Sequence, residues 1–151
     1  MARKKLIICV TGTPGCGKTT FAKKLAKQKK LLYVPLNDIL HKEKIYDSYD
    51  RTFHSYTYDE KKVQKLLTGL ITAAWKMGDG LVLDSHLSHC VPRKYIDQCL
   101  VVKCDLKTLK KRLQRRGYSE RKIRENLDAE ILDVCLVEAR ERGHRITIIK
   151  G

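Results

Sequence analysis

No apolar run in this sequence approaches the roughly 18 residues that a membrane span requires, and the opening MARKKLIICVTG has too short an apolar segment, followed by glycines, for a signal peptide. The chain is therefore expected to be cytoplasmic, with no membrane partner. No C-x-x-C spacing occurs among the six cysteines (Cys9, Cys16, Cys90, Cys99, Cys104, Cys135), and several lie inside apolar runs, so buried thiols are expected rather than a disulfide framework. Internal repeats and low-complexity linkers are absent, which points to one folding unit. Acidic residues are in short supply: 17 Asp and Glu face 32 Lys and Arg, for a formal charge of +15. Such a potential attracts phosphate-bearing partners, whether nucleotide, RNA or an acidic protein, although a solvated lysine-rich surface gives the same count.

The remainder describes a soluble α/β domain. With 151 residues, 42% of them hydrophobic and 32% charged, the chain can bury a core without help from metals or disulfides. LIICVTG (6–12), LLYVPL (31–36), GLVLD (80–84) and CLVVKC (99–104) read as buried parallel strands, with RITIIK (145–150) a fifth. Between them lie helical patterns. Residues 59–77 stripe Val63, Leu66, Leu67, Leu70, Ile71 and Ala74 and end at Gly78; residues 105–116 stripe Leu106, Leu109 and Leu113; residues 119–141 stripe Ile123, Leu127, Ile131, Val134 and Cys135. Alternation of strand and helix implies a mostly parallel sheet, whose ligands bind beyond the carboxyl ends of the strands. Gly12 and Asp84 both close strands.

GTPGCGKTT, Gly12 to Thr20, fits G-x-x-x-x-G-K-[ST] through Gly12, Gly17, Lys18 and Thr19, directly after a strand and directly before the helical TTFAKKLAKQ. Its residues Thr13, Pro14, Gly15, Cys16 and Thr20 complete the loop. Glycines let successive backbone amides turn inward as an anion nest, and the helix N-terminus adds its positive dipole end. Lys18 then reaches the β- and γ-phosphates, and the Thr19 hydroxyl can ligate Mg²⁺. A nucleoside triphosphate site follows from that context, where a bare glycine-rich turn would not require the lysine and hydroxyl at these positions.

In P-loop proteins a carboxylate closing a neighbouring strand holds Mg²⁺, and Asp84 is placed to do so. Side chains alternate along a strand, so Asp84 and His86 share a side if the extended chain continues through Ser85. His86 would then orient or deprotonate a water, or donate to a phosphoryl oxygen; the alternative is a histidine bonded to backbone just past the strand. His89 and Cys90 in HLSHC have no second ligand cluster, which argues against a separate zinc site.

The order GTPGCGKTT, YDSYD, DSH and RLQRRGYSERKIREN resembles the adenylate kinase isoenzyme 6 family, P-loop nucleotide kinases and ribosome-assembly ATPases, across nearly the whole chain. D-x-H in place of the D-G-F-P-R of ordinary adenylate kinases carries much of that likeness. The resemblance implies the P-loop nucleoside monophosphate kinase fold: a five-stranded parallel sheet flanked by helices, with a short helical lid. Within a single kinase domain it assigns a core to residues 1–36, 78–116 and 143–151, a monophosphate-binding insertion to 37–77, and a lid with its following helix to 117–142. It further implies Mg²⁺-dependent transfer from ATP to AMP, slow ATP hydrolysis, and partnership with a small-subunit ribosomal protein and rRNA during maturation, with the protein a monomer or weak oligomer.

Carried over position by position, Asp84 and His86 match the family's D-x-H. Arg112 lies where the fold stacks an arginine on the ATP base, and Arg116, four residues on, where it places one on the phosphates; planar guanidinium groups suit both tasks, although a solvated basic helix face would look the same. Arg121 and Lys122 are candidates for closing over the γ-phosphate, and Asn126 and Glu130 for holding the lid helix in place. Asp38 fits the start of the monophosphate-binding helix. Departures weaken the acceptor grip: His41 stands where ordinary adenylate kinases carry an arginine for AMP, with Lys42 beside it as a substitute, and the D-G-F-P-R arginine is missing. The sequence also stops at Gly151, just after the fifth strand, where family members continue into a helix. Two functions remain open, an AMP kinase and an ATPase switch in ribosome assembly, together with a kinase for another small acceptor.

Overall fold

The computed structural model describes residues 5–45, 48–50 and 55–151. Its elements run β1 (Ile7–Thr11), α1 (Lys18–Lys29), β2 (Leu32–Pro35), α2 (Leu36–Lys42), β3 (Ser48–Asp50), β4 (Ser55–Thr57), α3 (Glu60–Lys76), β5 (Leu81–Asp84), β6 (Gln98–Lys103), α4 (Leu106–Arg115), α5 (Glu120–Ile131), α6 (Val134–Glu141) and β7 (Ile146–Lys150). Two single 3₁₀ turns, Ser88–Cys90 and Arg93–Tyr95, join β5 to β6. The five apolar runs form one parallel sheet in the order β2-β5-β1-β6-β7, with Cys9 opposite both Leu83 and Cys99. β3 and β4 make a separate antiparallel pair.

β1 is buried along its whole length because helices cover both faces of the sheet. Ile7 and Cys9 join α3 and α6 through Leu67, Ile71 and Leu136. Ile8 and Val10 point the other way, to Ala22 of α1 and to Leu109 and Leu113 of α4. The strand alternation thus divides the apolar residues into two layers, and it places the carboxyl ends of β1 and β5 side by side at the centre of one edge. Among the described residues no helix is long and apolar enough to cross a membrane.

One expected helix is two. The periodicity over 119–141 predicts a continuous rod, but Asp133 takes a left-handed conformation, φ 53°, and separates α5 from α6. Its carboxylate sits 2.6 Å from Lys103 Nζ, an ion pair that draws the chain back to the end of β6. The expected stripe fails at the break: Ile131 is 58% exposed and Val134 37%. The YDSYD stretch begins with residues 46 and 47, which lie outside the described residues.

Candidate active site

β1 ends at Thr11, and the next residue must turn sharply against β6. Gly12 does so at φ 149°, where a Cβ would stand 2.5 Å from the Val102 carbonyl oxygen; no side chain fits there. Gly15 and Gly17 continue the loop at φ 97° and 92°, and α1 begins at Lys18. The loop borders a cavity of about 920 Å³. Thr13, Pro14, Gly15, Gly17, Lys18, Thr19 and Thr20 line it, as do Asp84, His86, Arg116, Asp38, His41 and Lys122. The structure therefore gathers residues from five separate segments of sequence around one space.

Lys18 is buried, and its ammonium donates to the Thr13 carbonyl at 3.2 Å. Burial holds its pKa below the ordinary lysine value, while the neighbouring Asp84 works in the opposite direction. A buried cation with one backbone acceptor is suited to receive an anion, because phosphate oxygens would restore the hydration it has lost. Thr19 donates its hydroxyl to Asp84 Oδ2 at 2.8 Å. Those two oxygens come from the start of α1 and the end of β5, and hard, closely spaced oxygen donors suit a hard divalent cation.

Asp84 carries a second bond that the sequence reading did not anticipate. Tyr33, in β2, donates its hydroxyl to the same Oδ2 at 2.5 Å. The parallel pairing of β2 with β5 brings Tyr33 beside Val82 and Pro35 beside Asp84, so a tyrosine two residues back can reach along the strand end. Burial and the Asp84 bond push this phenol above its usual range. A sequence signal existed only as a tyrosine inside an apolar run, with nothing to pair it to Asp84.

Asp84 and His86 share the cavity, but not through an extended chain. The strand stops at Asp84, Ser85 is buried with its N–H on the Val10 carbonyl, and the backbone turns at His86. Ser85 Oγ donates to Asn37 Oδ1 at 2.6 Å, tying this turn to α2. His86 Nδ1 is buried without a hydrogen-bond partner among the described residues. Burial, then the Lys18 charge, lowers the imidazole pKa to about 4. At neutral pH His86 is uncharged, so it can accept a proton or orient a water but does not begin as a cationic donor.

The two arginines separate. Arg116 lines the cavity at the end of α4, whereas Arg112 donates from NH1 to the Gly15 carbonyl at 3.1 Å, bracing the loop from behind. Lys122 lies over the Tyr118 ring, 4.1 Å from its centroid. Cys16, expected among the nucleotide-binding positions, turns its side chain entirely into the core; only its backbone can serve a phosphate.

Glu130 departs furthest from expectation. Instead of holding a lid helix, it is 5% exposed beneath the P-loop. Its Oε1 accepts from Thr13 Oγ1 at 3.0 Å and Lys103 Nζ at 2.6 Å; its Oε2 accepts from Cys104 N at 2.9 Å and Cys16 Sγ at 3.2 Å. Burial pushes this carboxyl up, but the Lys103 charge and the donated bonds outweigh it and leave the pKa lowered. His89, which the sequence singled out only to set zinc aside, is likewise structural. Its Nδ1 lies 2.8 Å from Thr11 Oγ1 and its Nε2 2.7 Å from Glu138 Oε2, so it clamps β1 to α6 just before the loop.

Comparison with known proteins gives the family. The model of an AAA domain matches residues 8–133. A putative adenylate kinase of Methanocaldococcus jannaschii is 35% identical over 139 residues, 92% of this chain and 75% of that protein. An adenylate kinase isoenzyme 6 homolog of Dictyostelium discoideum is 34% identical over 138 residues, 91% of this chain and 76% of that protein. In structure, a sugar kinase from Janibacter superposes with a TM-score of 0.64 at 16% identity, covering 97% of this chain and 85% of the other, a likeness of fold alone. Sequence identity across nine-tenths of the chain, together with a P-loop that faces D-x-H across one cavity, leads to a single conclusion: the chain belongs to the adenylate kinase isoenzyme 6 family, on a P-loop kinase fold.

Proposed function

We propose that this protein transfers the γ-phosphoryl group of MgATP to AMP, hydrolyses ATP slowly when no acceptor is bound, and acts during maturation of the small ribosomal subunit. The observation that carries the first part is the convergence of Lys18, Thr19, Asp84, His86 and Arg116 on one cavity of about 920 Å³. The names of the relatives support the choice of AMP. Thr19 and Asp84 would hold Mg²⁺, which when bound neutralises charge across the β- and γ-phosphates.

The P-loop amides and Lys18 orient the triphosphate and stabilise charge on the transferring group, and Arg116, which lines the same cavity, adds a second positive charge there. His86, neutral and lining the cavity, accepts a hydrogen bond from the incoming nucleophile. Tyr33 keeps Asp84 aimed. Product counting with MgATP, with and without AMP, tests the reading. Two ADP for each ATP consumed, with turnover that depends on AMP, supports the kinase; one ADP plus phosphate, indifferent to AMP, overturns it.

That second outcome corresponds to an ATPase switch, which two observations favour. His41, exposed at the cavity edge, replaces an arginine that would grip an AMP phosphate. A neutral imidazole beside the phosphate loop also suits the positioning of water. The formal charge of +15 supports an RNA-bearing partner complex, and such binding would weaken steeply as salt is raised.

A further inference from the structure

Cys16 and Cys104 meet beneath the P-loop with their sulfur atoms 3.0 Å apart. One lies in the phosphate loop and the other just past the end of β6, 88 positions away in sequence. The order of hydrogen bonds is directional: Cys104 Sγ donates to Cys16 Sγ, and Cys16 Sγ donates to Glu130 Oε2. Cys16 has no exposed surface, while Cys104 retains 8%. Gly15 and Gly17 flank Cys16 at positive φ, so the backbone on each side of the thiol has more torsional freedom than any other residue would allow.

We propose that Cys16 and Cys104 form an oxidisable pair, converted by a hydroperoxide to a disulfide that draws the P-loop toward β6 and lowers nucleotide turnover. The Cys104 thiol, the better exposed, attacks the peroxide and becomes a sulfenic acid with release of water. Cys16 Sγ then attacks Cys104 Sγ; its proton passes to Glu130 and on to the departing hydroxide, which leaves as a second water. Two thiols and one hydrogen peroxide thus give one disulfide and two waters. Closing the sulfurs from 3.0 Å to a bond of about 2.05 Å moves the loop by roughly 1 Å. It also removes the S–H donor from Glu130, which is the acceptor that holds Thr13 as well.

The neighbourhood favours a sulfur–sulfur bond over a metal ion. Cys16, Cys104 and Glu130 present atoms within 4.8 Å of one another, close enough for a metal. The Glu130 carboxylate, however, is already engaged on both oxygens, and the Lys103 ammonium 2.6 Å away would repel a cation. Other pairings are available to an oxidant, because Cys9 and Cys99 are register partners on β1 and β6. Cys135 is half-buried and so also within an oxidant's reach.

The reduced protein is treated with hydrogen peroxide, remaining thiols are alkylated, and the product is examined by intact mass and peptide mapping. Expected are a loss of about 2 Da and a cross-linked peptide joining the P-loop to the segment after β6. A bridge between Cys9 and Cys99, stepwise oxygen addition without a bridge, or oxidation confined to Cys135 overturns the proposal. This readout does not depend on what reaction the site performs. The functional half rests on the nucleotide-turnover reading: ATP turnover should fall about tenfold to a hundredfold in step with the bridge and return with dithiothreitol, a loss in the range expected for a 1 Å misplacement. Cys104→Ser should keep the basal rate and resist peroxide. A bridged protein with undiminished turnover would refute the control of activity while leaving the cross-link established.

Discussion

The two faces of the P-loop are built from opposite chemistry. Its outer face presents Lys18, Thr19, Asp84 and His86 to an open cavity, with bonding capacity left over: Lys18 has one backbone acceptor at 3.2 Å. Its inner face, Thr13 Oγ1, Cys16, Cys104, Lys103 and Glu130, is closed and nearly saturated. A loop that must reshape around a phosphate needs both. Unspent donors on one side receive the ligand, and a satisfied network on the other prevents the glycines from collapsing into the core.

Substitutions on each face should therefore fail differently. The largest effect belongs to the outer face: if the lysine serves the transferring group as proposed, Lys18→Ala lowers ATP turnover by at least about a hundredfold with little change in unfolding free energy. Steady-state kinetics and urea unfolding on the same preparation check it, and turnover near the unsubstituted rate would remove the phosphate-site assignment. On the inner face, Glu130→Ala should reverse that pattern, costing about 2–4 kcal/mol of stability by leaving Thr13, Cys104 N and Lys103 short of an acceptor. Chemical denaturation measures it; a variant as stable as the parent would mean the network is ornamental.

His86→Gln should reduce hydrolysis about tenfold while sparing ATP affinity, which calorimetric binding and phosphate release separate. Equal loss of both would make the residue a support. It also carries a pH signature. The unfolded chain takes up a proton on His86 near pH 6.5, whereas the folded chain resists it until about pH 4. Stability from this group is complete above the unfolded value and is lost as pH falls toward 4, and His86→Gln should flatten that part of the stability profile. Smallest is Tyr33→Phe, which removes one of two hydroxyls from Asp84 Oδ2 and should raise the Mg²⁺ concentration for half-maximal turnover by a factor of about 2–5. A metal titration reads the shift, and an unchanged midpoint would show that Thr19 alone aims the carboxylate.

Legibility followed the same division. The outer face was readable because its residues sit at fixed spacing in short motifs whose chemistry demands them, and because strand ends in a parallel sheet converge. His86 lines the cavity by a turn at Ser85 and not by the continued strand that the alternation of side chains suggested. The inner face was not readable. Glu130 stands 114 positions from Cys16 and 26 from Cys104, and nothing in its helical pattern distinguishes a solvated glutamate from one drawn under a loop. The break at Asp133 was equally hidden, since periodicity in 119–141 fits one helix as well as two.

By itself the sequence determined the five strands of the parallel sheet, the glycine-rich loop after the first and the acid and histidine after the third, because periodicity and motif spacing are local properties of the chain. Only the tertiary structure decided that Tyr33 braces Asp84, that Arg112 backs the loop while Arg116 faces the cavity, and that Glu130 joins two cysteines below it. Those depend on which distant segments the sheet order brings together; the burial that keeps His86 neutral, and the Lys103 charge and donated bonds that hold the Glu130 carboxyl low, do not exist until they meet.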